Sequence, residues 1–331
     1  MILNHIVFGI VLLIPCYQAY SKVEKLNCKI SDHEICKIIR REDLLQKKFP
    51  YQIDIKKMKS FTNDVYKISD KDKHYILRLS SPKNEHLVFK NTLSQESENL
   101  RNVKKVFKNA PVLILFKPNQ YGVFEYIKHK KKLGDEDLKD PKILAKVVLF
   151  LRKLHSSNIP FQNDKDVFKD FKKAISIMED VDQPIEEKKL LFNHLDIIKK
   201  KLSLSKNNYV PIHGDPVASN MLIIENEPMV FIDWEYSGRF DAMWDLAMLS
   251  VNANFNSDDD ERLLTLYMGP FDKDHYERLS IFKSLVHLWK YFWFNLRSLK
   301  TNNLNEKEKQ RKFAKTEYSR FLKIITKWQK P

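Results

Sequence analysis

Two segments decide how this chain is read: Pro211-Ile212-His213-Gly214-Asp215-Pro216-Val217-Ala218-Ser219-Asn220, and Val230-Phe231-Ile232-Asp233-Trp234-Glu235-Tyr236. The first reads H-G-D-x-x-x-x-N, and Asp233 stands thirteen residues beyond Asn220. Between them, the apolar runs Met221 to Ile224 and Met229 to Ile232 flank the polar turn Glu225-Asn226-Glu227-Pro228. That pattern predicts a hairpin, with a tight loop before its first strand and Asp233 at the end of its second. Asp215, Asn220 and Asp233 would then meet at one mouth. Phosphoryl transfer needs such a set. One carboxylate must orient an attacking hydroxyl and accept its proton, while hard oxygen donors, here an amide and a carboxylate, suit Mg²⁺ on a triphosphate. Little covalent chemistry falls to the protein in such a reaction, so positioning and charge neutralisation do most of the work. His213 reads as a structural loop residue whose hydrogen bonds shape the turn.

Outward from this block the pattern changes character. From about Tyr51 to Ile127 the chain is strand-rich. Val65 to Ile68 and Tyr75 to Leu79 alternate around Ser69-Asp70-Lys71-Asp72-Lys73 and predict an antiparallel hairpin. A helix is expected at about Asn91 to Phe107, then strands at Val112 to Phe116 and Gly122 to Ile127. Asp140-Pro141 is a helix start signal, and Ile143, Val147, Phe150, Leu151 and Leu154 mark one apolar face running into His155. Further helices are expected at 164–180, at 184–203 and after Glu235. The class is therefore α+β and bilobal. The expected division is an N-terminal lobe over 22–127, small and β-rich, and a larger, mostly helical C-terminal lobe over 128–331, with a ligand between them.

Composition sets the outer limits. The chain has 331 residues, 43% hydrophobic, enough for a substantial core and too apolar for disorder. Its charge is +15, but only 11 of the 58 basic residues are arginine and the lysines are scattered, so no nucleic-acid partner is expected. Cys16, Cys28 and Cys36 form no CxxC pair, which argues against zinc. Ile6 to Pro15 is an apolar run followed by Ala19-Tyr20-Ser21, so residues 1–21 resemble a secretory signal peptide in core and cleavage site. No Lys or Arg precedes the run, and a short membrane anchor or a misassigned start codon fits as well. Export would allow Cys28 and Cys36 to pair but would conflict with a need for cytosolic ATP. The expected location is the cytoplasm, with no membrane span after this segment.

H-G-D-x-x-x-x-N, followed by I-D-W-E-Y-S-G and D-x-x-W-D-L-A, resembles the choline kinase and aminoglycoside phosphotransferase family of the protein-kinase-like superfamily, and the bacterial choline kinases most of all. The resemblance runs from about Tyr51 to the C-terminal helices, though only 211–247 is highly specific. By position it implies Asp215 as the catalytic base and Asn220 and Asp233 as the Mg²⁺ ligands. Asp245 would be a buried carboxylate bracing the catalytic loop; read from its place alone, it is equally a helix cap. Ser60, Thr62 and Asn63 lie where the family has its nucleotide loop, here without glycine. Arg78 occupies the place of the phosphate-contacting lysine, with a planar fork instead of a point charge. Its acidic partner would be Glu98, with Glu96 as a substitute by helix rotation. Glu125, Tyr126 and Ile127 would form the adenine hinge, although Lys128-His129 departs from the family's usual E-G.

For the acceptor, Leu288-Trp289-Lys290-Tyr291-Phe292-Trp293-Phe294 resembles the paired-tryptophan helix of choline kinases, with a spacing of four in place of three. Trp289, Phe292 and Trp293, with Tyr236 as a wall and Glu235 as a counter-charge, would hold a quaternary ammonium through ring quadrupoles. The same stripe is equally a core face. Asp258-Asp259-Asp260-Glu261 reads as a helix N-terminus facing water, not as a polycation site. The resemblance thus implies an ATP- and Mg²⁺-dependent kinase for choline or a related amino alcohol. The alternatives are an aminoglycoside, ethanolamine or thiamine kinase, or a catalytically silent kinase-like binding module.

Overall fold

The computed structural model describes residues 32–42, 53–58, 60, 63–70, 73–80, 89, 91–118, 120–178 and 185–328. The expectations for residues 1–21, for a Cys28–Cys36 pair and for Thr62 lie outside the described residues. By contacts the chain forms two units. One runs to Ser81 and resumes over Leu113–Ile127; the other takes Pro82–Val112 and Lys128–Pro331. The helix expected at Asn91 to Phe107 therefore groups with the larger unit, although its sequence lies inside the expected first lobe.

The smaller unit begins with helix α1 (Asp32–Arg41), which the sequence pattern does not announce. Strands β1 (Asp54–Met58), β2 (Asp64–Asp70) and β3 (Lys73–Leu79) follow. In the larger unit α2 spans Leu93–Val106. The chain then returns to the sheet as β4 (Leu113–Lys117) and β5 (Tyr121–Glu125). The sheet is antiparallel throughout, in the order β1-β2-β3-β5-β4. The expected hairpin is present, with Asp70 opposite Lys73 at its turn. Alternation puts Ile68, Leu77 and Val123 fully inside, where Ile35 and Ile39 of α1 cover them. Tyr121 Oη donates to Glu42 just past α1 (2.5 Å).

The larger unit continues with β6 (Lys131–Lys132), α3 (Pro141–His155), α4 (Val167–Met178) and α5 (Ile185–Leu202). Asp140 caps α3 as its sequence foretold, its carboxylate accepting from the Lys142 N–H at 2.8 Å. Strands β7 (Val210–Ile212), β8 (Met221–Ile223), β9 (Val230–Phe231) and β10 (Gly238–Phe240) carry the motif region. They form two small sheets, β10-β7 and β6-β8-β9. Four helices follow: α6 (Met243–Asn252), α7 (Ser257–Met268), α8 (Lys273–Ser298) and α9 (Leu304–Trp328). Helix α6 is buried from Met243 to Val251, mostly apolar with Asp245 and Ser250 as its buried polar residues, and lies in this unit's core. Among the described residues, no helix is long and apolar enough to cross a membrane.

The acidic run at the start of α7 departs from expectation. Asn256 caps the helix and accepts from the Asp258 and Asp259 N–H groups. Asp260, however, turns inward and is 4% exposed. It pairs with Lys283 Nζ and accepts from Ser250 Oγ, each at 2.5 Å. A carboxylate with two such partners is stable inside, whereas the run read as a unit suggested water.

Candidate active site

The loop between β7 and β8 is shaped by one buried carboxylate. Asp245, fully buried near the start of α6, accepts the N–H groups of His213 and Gly214, both at 2.8 Å. His155 Nε2 lies 3.0 Å from the same carboxylate, and its Nδ1 lies 2.6 Å from Tyr267 Oη. Trp244 Nε1 donates to the Gly214 carbonyl at 3.1 Å. Asp245 therefore braces the loop and is not a helix cap. Gly214 sits at φ +83°, where a Cβ would stand 2.1 Å from the Tyr236 carbonyl oxygen, so only glycine fits the turn.

His213 makes hydrogen bonds that span the turn. Its Nε2 lies 3.1 Å from the Ile232 carbonyl, which fixes the proton there, and Nδ1 accepts from the Asp215 N–H at 3.3 Å. Burial pushes its pKa down to about 4, so the ring is neutral and ties the Asp215 loop to the end of β9.

Asp215 is oriented by Asn220. The Asn220 side-chain amide donates to Asp215 Oδ2 and to the Asp215 carbonyl, both at 3.1 Å. With its N–H groups committed, Asn220 presents Oδ1 as an acceptor. The Asn220 carbonyl in turn receives the Ile232 N–H at 2.9 Å, which brings Asp233 next to the loop. Asp233 holds φ +66°, the left-handed region that a non-glycine residue enters at a cost. Asn220 Oδ1 and the Asp233 carboxylate are hard oxygen donors of the type Mg²⁺ prefers, so the residues fit that ion. Among the described residues no cluster of three or more His, Cys, Asp or Glu could hold a metal by itself. Burial and the Glu235 charge raise the Asp215 pKa to about 7, against the bond from Asn220.

Of the residues expected to hold the acceptor, Tyr236, Trp289 and Trp293 pack on one another. Tyr236 packs edge-on against Trp289 (centroids 5.5 Å, 82°) and accepts from Trp293 Nε1 at 3.3 Å. Trp289 and Trp293 stack at 6.3 Å on one face of α8. Glu235 is 1% exposed. Phe292 is fully buried and packs on Phe171 (5.4 Å).

Sequence reasoning missed what holds Glu235 and Tyr236 in place. Asn91 N–H donates to the Glu235 carbonyl (2.8 Å), and the Asn91 side chain donates to the Ser237 carbonyl (2.7 Å). Asn163 Nδ2 donates to Asn91 Oδ1 (3.0 Å) and to Ser237 O (3.2 Å). Asn99 Nδ2 reaches Asn163 Oδ1 and Ser237 Oγ, each at 3.1 Å. Lys165 Nζ completes the set by donating to Asn91 Oδ1 at 2.9 Å. A buried amide network of this kind fixes backbone because each member left unpaired would be costly.

The two acids of α2 differ in their surroundings. Glu98 is 40% exposed and pairs with Arg101 at 2.9 Å, whereas Glu96 is 2% exposed. Rotation along the helix turns Glu96 inward and Glu98 out.

The smaller unit holds the other candidates. Arg78 on β3 is 8% exposed, and its guanidinium carbon lies 5.2 Å from the Phe124 ring centroid. Ser60 Oγ accepts from the Asn63 N–H at 3.4 Å. Of the hinge residues, Glu125 ends β5 and is exposed. The Tyr126 N–H is committed to the His74 carbonyl at 3.1 Å, so it is no donor for an adenine, and Ile127 follows it.

Comparison with known proteins follows the same lines. The phosphotransferase enzyme family matches residues 54–282. Protein LicA of Haemophilus influenzae is 24% identical over 247 residues, 70% of this chain and 88% of its own. A LicA homolog of Mycoplasma capricolum is 30% identical over 172 residues, 50% of this chain and 66% of its own. Among solved structures, choline kinase LicA from Streptococcus pneumoniae superposes with a TM-score of 0.71 at 22% identity, covering 87% of this chain and 99% of that one. The gentamicin complex of APH(2")-IIa gives a TM-score of 0.61 at 17% identity, covering 89% and 96%. The protein thus shares the bilobal protein-kinase-like fold of these enzymes.

Proposed function

The chain belongs to the phosphotransferase enzyme family, and from that premise we propose that it transfers the γ-phosphate of ATP to the hydroxyl of choline or a related amino alcohol. The observation that carries this reading is the pairing of Asp215 with Asn220 in the same unit as an aromatic wall of Tyr236, Trp289 and Trp293. Choline is favoured over a polycationic acceptor because this wall is aromatic while the acidic run of α7 is committed to capping and to Lys283. The structural likeness to choline kinase LicA of Streptococcus pneumoniae supports the same reading.

In this reading Asp215 Oδ1 accepts the hydroxyl proton while Asn220 holds Oδ2. The raised pKa of Asp215 suits a base that must take up a proton near neutrality. Asn220 Oδ1 and Asp233 would hold Mg²⁺, which neutralises triphosphate charge when bound. Arg78 would steady the nucleotide, with Ser60 and Asn63 in its loop. Glu235 would supply a negative charge near the ammonium. A need for ATP supports a cytoplasmic location.

The test is ADP release by the full chain with Mg²⁺-ATP and, in turn, choline, ethanolamine, thiamine and kanamycin. Choline-dependent release, lost in Asp215→Ala while ADP still binds, is the expected outcome. Turnover with kanamycin alone would replace choline with an aminoglycoside. Tight ATP binding without turnover on any of the four would remove the choline reading.

A further inference from the structure

Three side chains on α8, each four residues from the next, stack along one helix face. Trp289 and Trp293 lie 6.3 Å apart with their planes 20° from parallel. The Arg297 guanidinium carbon then lies 4.6 Å from the Trp293 centroid, within the range of a cation–π contact. Tyr236 Oη accepts from Trp293 Nε1 on the same wall. Trp289 is closed on its other sides by Phe89 (5.4 Å) and Tyr236 (5.5 Å) and is 8% exposed. The aromatic wall therefore already carries a cation of its own.

We infer that Arg297 is a specificity-determining residue: its guanidinium occupies the face of Trp293 that an acceptor ammonium would use, and the acceptor must displace it. The inference rests on the proposed amino-alcohol kinase activity only in placing an ammonium at this wall. Competition of this kind is selective. A quaternary ammonium has no N–H and depends wholly on ring faces and charge, whereas a primary ammonium can also donate to carboxylate or phenol oxygens. Arg297 thus lowers affinity for the quaternary group more than for the primary one and narrows the preference between them.

The test is binding of tetramethylammonium to the full chain, followed by tryptophan fluorescence, in Arg297→Gln and Arg297→Met. Methionine keeps an unbranched apolar stem on the ring and removes only the charge, so it covers the case in which glutamine disturbs packing. Both variants should bind tetramethylammonium ~2- to 10-fold more tightly, the span of one cation–π contact of modest strength. The KM for choline should fall by a similar factor, the KM for ethanolamine by less, and the KM for ATP should not move. Unchanged or weaker tetramethylammonium binding in a variant that still unfolds cooperatively would overturn the inference and make Arg297 a packing residue. The two readings fail separately. Tighter binding without phosphorylation of any amino alcohol leaves Arg297 as a cation competitor and removes the kinase assignment. Choline turnover with a raised choline KM in both variants does the reverse.

Discussion

At the scale of single residues, the site depends on a few atoms that admit no substitute. Gly214 is one. Its backbone is left-handed, and a Cβ added there would stand 2.1 Å from the Tyr236 carbonyl oxygen, so Gly214→Ala must move backbone, not a side-chain tip. The loop carrying Asp215 and the segment carrying Tyr236 would separate. Phosphoryl transfer should fall by at least ~10²-fold, the scale of losing a positioned base, with ATP binding retained. Equal losses of turnover and ATP affinity would show that the damage is global. The two acids of α2 give a second contrast. Glu96 is 2% exposed and Glu98 is 40% exposed and paired with Arg101, so only the former has lost its water. Glu98→Gln should leave the KM for ATP unchanged, and Glu96→Gln should raise it. An effect confined to Glu98→Gln would restore the residue that the sequence pattern favours.

At the scale of elements, the segment after β9 is held from α2 and from the loop before α4 by Asn91, Asn99, Asn163 and Lys165. Lys165 is depressed to about 8 by burial, with Asp170 on α4 and Glu235 opposing, and burial raises Asp170 to about 6. A carboxyl whose folded pKa is raised contributes stability below its unfolded value and loses it as pH rises through the folded one. Native stability should therefore decline between about pH 4 and pH 6 on account of Asp170. Asp170→Asn should flatten that decline in urea titrations across the window, and an unchanged slope would take Asp170 out of the balance. This network was not legible in the sequence, for a physical reason. Asn91, Asn99 and Asn163 are far apart along the chain, and each one alone reads as a solvated loop or helix-surface residue. The pairing of Asp215 with Asn220 and the hairpin that ends at Asp233 were legible because all three residues lie within one loop and one hairpin, so spacing alone brings their backbones together. Helix α1 was missed because its apolar positions are few among charged neighbours, and its stability comes from covering the sheet.

At the scale of the whole chain, the last two helices extend the unit that carries the Asp215 loop. Helix α9 packs along α8 through Tyr291–Tyr318 (4.8 Å) and Phe294–Phe313 (5.3 Å). A buried charge cluster fixes the register. Glu317 is 5% exposed and accepts from His287 Nδ1 at 2.6 Å, with Lys290 at 3.6 Å and Arg320 at 3.2 Å. Lys290 also interacts electrostatically with Asp215, so α9 bears indirectly on the helix that lines the acceptor wall. The His287 bond and the two cations hold Glu317 below its ordinary pKa despite burial, and burial holds His287 below its own. Both shifts give the folded state fewer bound protons than the unfolded chain, so both contributions are lost on acidification. The histidine part fades as pH falls below about 6.5 and the carboxylate part below about 4.5. Glu317→Gln removes the carboxylate charge and leaves Lys290 and Arg320 without it. At pH 7.5 it should cost about 3–5 kcal/mol, the scale for breaking a buried ion pair. Because the charge lost is one that acid would neutralise anyway, the gap between variant and wild type in urea unfolding should hold from pH 7.5 to about 4.5 and narrow only below that. A gap that stays constant as pH is taken well below about 4.5 would assign the loss to packing, and Glu317 would then carry no share of the acid sensitivity.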